Sequence, residues 1–376
     1  MKKVTALVLA LVLVGGLLAS CGTGKYEIAL ITDKGNIDDK SFNQGSWEGV
    51  VAFAKANNIS HKYYKPEDVS DEAYLAAIDL AVSGGAKVIV TPGFLFEVAV
   101  YQAQTKYPDV KFILLDGTPH DADYNYETKE NVASILYAEE QSGYLAGYAI
   151  VRDGKRKLGF MGGMAVPAVR AFGYGFLQGA EDAAKELGLA DGSVTVLYHY
   201  TGDFAETDTN KATAKSMYQE GVEVIFACGG SVGKSVMSAA SEAGKLVIGV
   251  DVDQRYDSET VVTSAMKGLG ASVQQVLEAI YKTNKWSDFG GKTTYFNAAN
   301  QGVGLPTTVI GDSKADAFDR FESFNKEDYD AVYAKLVDGS VKPIRDITIE
   351  NADGYATAEE MTNGLGLKKV TVETRQ

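Results

Sequence analysis

A chain of 376 residues with 50 acidic and 36 basic side chains carries a formal charge of −14, and it holds no basic run to attract nucleic acid or anionic lipid. Three histidines and two cysteines leave little from which to build a metal centre, so neither a metal nor a cofactor is expected. The length exceeds what one hydrophobic core usually serves, so two lobes are expected.

Met1 to Lys3 is a short basic start, and Val4 to Leu18 is almost wholly apolar. The run is short for a transmembrane helix and has a signal peptide's layout. It ends in Leu18, Ala19, Ser20 and Cys21, which resemble the lipobox of bacterial lipoproteins. Residues 1–20 are therefore expected to be removed and Cys21 acylated. Residues 21–25 then form a tether to the extracytoplasmic face of the cell membrane, each buried methylene contributing about 0.8 kcal/mol. Losing Lys2 and Lys3 leaves 34 basic against 50 acidic residues, a net −16. With Cys21 committed, no intrachain disulfide is available. Cys228 follows the apolar run 222–227 and reads as a buried structural thiol.

From Tyr26 the pattern is strand, loop, helix, repeated. Glu27 to Thr32 is a short apolar run ending in the polar loop Asp33 to Lys40. Ser41 then precedes an amphipathic helix predicted over Phe42 to Asn57. Apolar runs at 87–90, 111–115, 157–161, 223–228 and 246–250 lead likewise into loops rich in Asp and Gly. Buried runs alternating with helices predict an α/β fold whose mainly parallel sheets are covered on both faces. Ligands of such sheets sit beyond the carboxyl ends of the strands.

The alternation pauses at a predicted helix over 139–148, where the chain is expected to enter the second lobe. A return is expected after Val261 to Ser264, in a helix from Val273 to Tyr281, and a third passage near Gly302 to Leu305. This gives lobe one as 26–138 plus about 268–300, and lobe two as 139–267 plus about 301–376. Periodicity is weakest from Ala298 to Lys314, and 326–336 is helix-like.

Cys228 to Ser235 imitates a phosphate loop, but the required glycine five positions before Gly233 is Cys228. Gly173, Gly175 and Gly179 miss the dinucleotide spacing and read as close-packing positions in a helix. No Gly-x-Ser-x-Gly elbow occurs, and His61, His120 and His199 have no evident nucleophile partner. Asp116 and Asp251 at strand ends leave a glycosidase-like carboxylate pair open. The same residues suit a binder, because a carboxylate accepts hydrogen bonds from two adjacent hydroxyls, with Lys267 able to keep Asp251 ionised. Helix capping is the structural alternative for each strand-end Asp, including Asp33. Phe42, Phe94 and Phe204 sit in or beside these loops, where two rings from opposite lobes can clamp a flat ligand.

The run Thr32 to Gln44 with Trp47, Glu48 and Gly49 resembles the opening motif of the basic membrane protein family, the purine nucleoside receptor A-like substrate-binding lipoproteins of ABC transporters. Segments 91–96, 107–112, 144–148, 162–164, 249–254 and 263–267 continue the resemblance in order. It implies a two-lobed type I periplasmic-binding-protein fold with three interlobe crossovers and no enzymatic activity. It implies a purine nucleoside ligand of the adenosine, guanosine or inosine type, an ABC permease as partner, and a monomer. By motif, Phe42 and Phe204 become the base-stacking pair, Asn43 and Asp116 polar contacts to the base, and Asp251 with Lys267 the ribose clamp, while Asp33 and Gly93 line the cleft. A sugar or signal-molecule receptor of the same fold is the alternative, then a surface nucleoside hydrolase. The segment beyond Asp312 matches no motif, and its role stays open.

Overall fold

The computed structural model describes residues 25–309, 316–351 and 353–375. The signal segment, Cys21 and Asp312 lie outside them. The chain opens with β1 (Ile28–Ile31), α1 (Phe42–Ala56), β2 (His61–Tyr64), α2 (Asp71–Ser83), β3 (Val88–Pro92), α3 (Glu97–Lys106), β4 (Lys111–Leu115) and β5 (Val132–Tyr137). It continues through α4 (Glu139–Arg152), β6 (Lys157–Gly162), α5 (Pro167–Glu186), β7 (Val194–Tyr200), α6 (Asp208–Gln219), β8 (Val224–Cys228), α7 (Val232–Ala243), β9 (Leu246–Asp251) and β10 (Val261–Lys267). Then come α8 (Leu269–Tyr281), β11 (Lys292–Phe296), β12 (Val303–Gly304), α9 (Lys326–Val337), α10 (Ala358–Leu365) and β13 (Val370–Arg375).

These strands make two sheets. One is six-stranded in the order β11-β5-β4-β3-β1-β2 and parallel throughout. The other is seven-stranded in the order β12-β10-β9-β8-β6-β7-β13, with only β12 antiparallel. Central strands such as β1 and β8 are buried along their whole length, which explains their unbroken apolar runs. The chain leaves the first sheet after β5, returns for β11, and leaves again for β12. Ser142 ties these passages together: its hydroxyl donates to Met266 O at 3.0 Å and Gly304 O at 3.2 Å.

α8 starts at Leu269, four residues before the predicted Val273. The weakly periodic stretch near residue 300 contains the two-residue strand β12. After α9 an irregular segment runs along α5, with Gln178 and Ile344 exchanging amide hydrogen bonds at 2.8 and 2.9 Å. α10 and β13 then extend the edge of the second sheet, beside β7. The glycines of α5 are packing positions, as read: a Cβ on Gly179 would fall 1.9 Å from Tyr144 O of α4.

Candidate functional site

The carboxyl ends of the strands in both sheets face one cavity of about 760 Å³, its open mouth included. All the residues singled out in the sequence line it: Asp33, Phe42, Asn43 and Gly93 with Asp116 from the first sheet, and Phe204, Asp251 and Lys267 from the second. Val166, Val169 and Phe172 supply apolar wall.

Backbone conformation aims several of these groups. Asp116 and Asp251, at the ends of β4 and β9, have φ of 56° and 67°, and Gly93 after β3 has φ of 120°. Left-handed backbone is uncommon for non-glycine residues and concentrates at functional sites. At Gly93 a Cβ would sit 3.2 Å from Asp33 Oδ2.

Lys267, the last residue of β10, is the electrostatic centre. Its ammonium donates to Asp116 Oδ2 at 2.6 Å, lies 3.4 Å from Asp251 Oδ1, and is 4.4 Å from the centroid of the Phe42 ring. Asp116 and Asp251 thus share one cation in a single cluster, whereas the family resemblance gives them to opposite ends of the ligand. Burial works to lower the Lys267 pKa, but Asp116, Asp251 and Glu139, whose Oε1 lies 3.8 Å away, raise it. Burial pushes the Asp116 and Asp33 carboxyls up to about 6 and also raises Asp251. Asp116 Oδ1 is buried with no hydrogen-bond partner among the described residues, an unused acceptor.

Asn43 is largely engaged within its own half. Its Nδ2 donates to Asp33 Oδ1 at 2.8 Å and Asp39 Oδ2 at 2.9 Å, and its Oδ1 accepts from Asp33 N at 3.2 Å. One lone pair on Oδ1 remains for a ligand. Asp39 escaped the sequence reading. Its carboxylate accepts from the backbone N–H of Ser41, Asn43 and Gln44 and so caps α1, whose N-cap Ser41 makes no side-chain cap bond. Asp before a Ser-led helix was the available signal. The sequence places Ser41 at a helix start. Its hydroxyl instead donates to Asp251 of the second sheet.

Further contacts cross the mouth. Gln254 Nε2 donates to Lys40 O at 2.8 Å, Lys234 Nζ donates to Asp38 O at 3.0 Å, and Lys40 pairs with Asp257 at 3.3 Å. The phosphate-loop look-alike ends here: Gly229, Gly230 and Ser231 line the cavity, and Cys228 is a buried free thiol.

Residues 26–338 match the family model of PnrA-like ABC transporter substrate-binding proteins. The chain belongs to that family. The ABC transporter nucleoside-binding protein BmpA of Lactococcus lactis is 32% identical over 330 residues, covering 80% of this chain and 89% of its own length. Basic membrane protein B of Borreliella burgdorferi is 29% identical over 307 residues, covering 78% of this chain and 86% of its own. Among solved structures, an ABC transporter solute-binding protein from Aeropyrum pernix aligns with a TM-score of 0.76 at 22% identity, covering 91% of this chain and all of the other. The arabinose-binding protein AraP of Geobacillus stearothermophilus aligns more loosely, with a TM-score of 0.52 at 13% identity, covering 75% of this chain and 96% of its own. These structural likenesses establish the type I binding-protein fold. Membership establishes a substrate-binding protein of an ABC transporter, not an enzyme, and the hydrolase reading falls.

Proposed function

We propose that this PnrA-like protein captures a purine nucleoside, of the adenosine, guanosine or inosine type, and delivers it to an ABC permease. It does so as a monomer held to the extracytoplasmic face of the cell membrane by lipid on Cys21. The observation that carries the reading is the make-up of one cavity: partly buried Phe42 and Phe204 enter from opposite sheets, among Asp33, Asp116, Asp251 and Lys267. Two rings suit a flat base, with stacking worth about 1–3 kcal/mol per base. Ionised carboxylates suit its N–H edge and a ribose diol. The description of the lactococcal relative as nucleoside-binding supports the same ligand class.

In this reading Asp116, Asp33 and the free lone pair of Asn43 meet the base, and Asp251 with Lys267 holds the ribose. Residues 26–138 with about 268–300 move as one lobe, and 139–267 with about 301–376 as the other. A ligand touching both favours the closed arrangement, and the permease reads that closed surface.

The test is a thermal-shift panel of adenosine, guanosine, inosine, uridine, ribose and common sugars on protein unfolded and refolded to strip co-purified ligand. A nucleoside at a hundred times its Kd adds about 2.7 kcal/mol. Stabilisation by purine nucleosides that vanishes in Asp251→Ala supports the proposal. Stabilisation by sugars alone would transfer it to a sugar receptor.

A further inference from the structure

Arg345 lies past the family match, in the irregular segment after α9, yet it reaches the first crossover between the sheets. Its Nη1 donates to Tyr137 O at 2.8 Å and Glu140 Oε2 at 2.7 Å, and lies 2.6 Å from Glu139 Oε2. Glu139, the first residue of α4, is only 1% exposed. Its other oxygen is 3.8 Å from Lys267 Nζ. Charges therefore alternate from the outer surface to the cavity: Arg345, Glu139, Lys267, then Asp116 and Asp251. The segment that carries Arg345 is itself fastened to α5, by the Gln178–Ile344 amide pair and by Arg170, 3.6 Å from Asp346.

A carboxylate buried as deeply as Glu139 stays ionised only where cations or donated hydrogen bonds offset its desolvation, and Arg345 and Lys267 are the cations within 4 Å of it among the described residues. With Arg345 gone, Lys267 becomes its nearest cation, and Glu139 then competes with Asp116 and Asp251 for one ammonium. With Arg345 present that competition is relieved from outside the cleft.

We propose that Arg345 is a positioning residue for the ligand site: by holding Glu139 at the crossover it leaves the Lys267 ammonium to Asp116 and Asp251. The C-terminal segment thereby sets ligand affinity without touching the ligand. The binding arm of the test rests on the nucleoside reading. The titration arm does not.

The titration arm follows the Asp116 carboxyl by carbon NMR in the ligand-free full chain in mild detergent, assigned with Asp116→Asn. The titratable and charged groups around it are Lys267, Glu139, Arg345, Asp33, Asp251 and the Tyr137 hydroxyl. Arg345→Met removes a cation and should move the Asp116 midpoint upward from about 6, whereas Glu139→Gln removes an anion and should move it downward. The double variant should return near wild type, and Arg345→Lys should keep most of the wild-type midpoint. A brace with a merely mechanical role would lower the melting temperature and leave these midpoints alone. An unmoved midpoint in Arg345→Met, or shifts of the same sign in both single variants, overturns the proposal. If Arg345→Met fails to fold, Glu139→Gln decides alone, and a raised or unmoved midpoint there is fatal. In the binding arm, Arg345→Met should weaken inosine about tenfold, and adding Glu139→Gln should restore it. A wild-type protein that binds no nucleoside would refute the ligand class while the titration still judges Arg345.

Discussion

Two buried regions near the crossovers are built on opposite principles. In the seam between α4 and α5, Gly143, Gly147, Gly175 and Gly179 let backbones touch: an added Cβ would fall 2.1, 2.0, 2.0 and 1.9 Å from carbonyl oxygens of the facing helix. The seam's fit is one of shape, with backbone against backbone. The cavity nearby holds aspartates on left-handed backbone and gathers Asp116, Asp251 and Glu139 around one ammonium. The seam leaves no room for change, while the cavity keeps Asp116 Oδ1 without a hydrogen-bond partner among the described residues.

The comparison is broken most severely from the seam side. Gly147→Val should destabilise the fold by about 3 kcal/mol or more, because neither helix backbone can retreat without dismantling the packing around it. Urea unfolding measures this, and a variant within about 0.5 kcal/mol of wild type would show that the seam is loose. Asp251→Ala, in the cavity, should do the reverse. Losing a charged acceptor should weaken inosine about a hundredfold, while Lys267 keeps Asp116 and Glu139 as partners and the melting temperature stays close to wild type. A variant that unfolds instead would place Asp251 in the scaffold, through its bond from Ser41.

The same contrast explains what was legible in the sequence. The strands that carry the site were readable because strands buried on both faces become continuous apolar runs, and the residues just beyond them had to be the cavity lining. Gly175 and Gly179 were readable as packing positions because a helix interior gives glycine no conformational reason to be there. The sharing of Lys267 between Asp116 and Asp251 was not readable, since 151 residues separate Lys267 from Asp116 and only the crossovers bring them together. Arg345 was hidden for a stronger reason. Its segment has neither helical nor strand periodicity, so nothing local announces that its side chain lies against Tyr137, Glu139 and Glu140. Asp39 looked like one more loop acid because its cap bonds skip the usual N-cap position.

Acidity separates the two regions without any mutation. Asp33 and Asp116 titrate near 6 in the folded chain and near the ordinary carboxylate value once unfolded. The folded state therefore binds their protons more tightly, and their stabilising contribution is fully present below about 4 and lost as the pH rises through about 6. Binding runs the other way, because protonated carboxyls stop accepting from the ligand. Inosine affinity should fall about tenfold from pH 7 to pH 5. The stability gap between wild type and an Asp33→Asn, Asp116→Asn double variant should change in the wild type's favour over the same interval. Paired melts and titrations at both pH values test this, and a gap that ignores pH would mean the two carboxyls titrate normally.

The smallest expected effect comes from the rim, at the half-buried Lys234. Lys234 donates to the carbonyl of Asp38 across the mouth, a contact that the proposed opening of the lobes would break. Removing it in Lys234→Ala leaves each half intact, so the ligand-free melting temperature should not move. The closed arrangement loses one hydrogen bond, worth about 0.5–1.5 kcal/mol net, and the apparent affinity falls with the closed population. Inosine should bind about threefold more weakly, the change appearing in the dissociation rate. A change in association rate instead would make the Lys234 ammonium a steering charge at the entrance rather than a latch, and would move the boundary between scaffold and site inward to the aspartates alone.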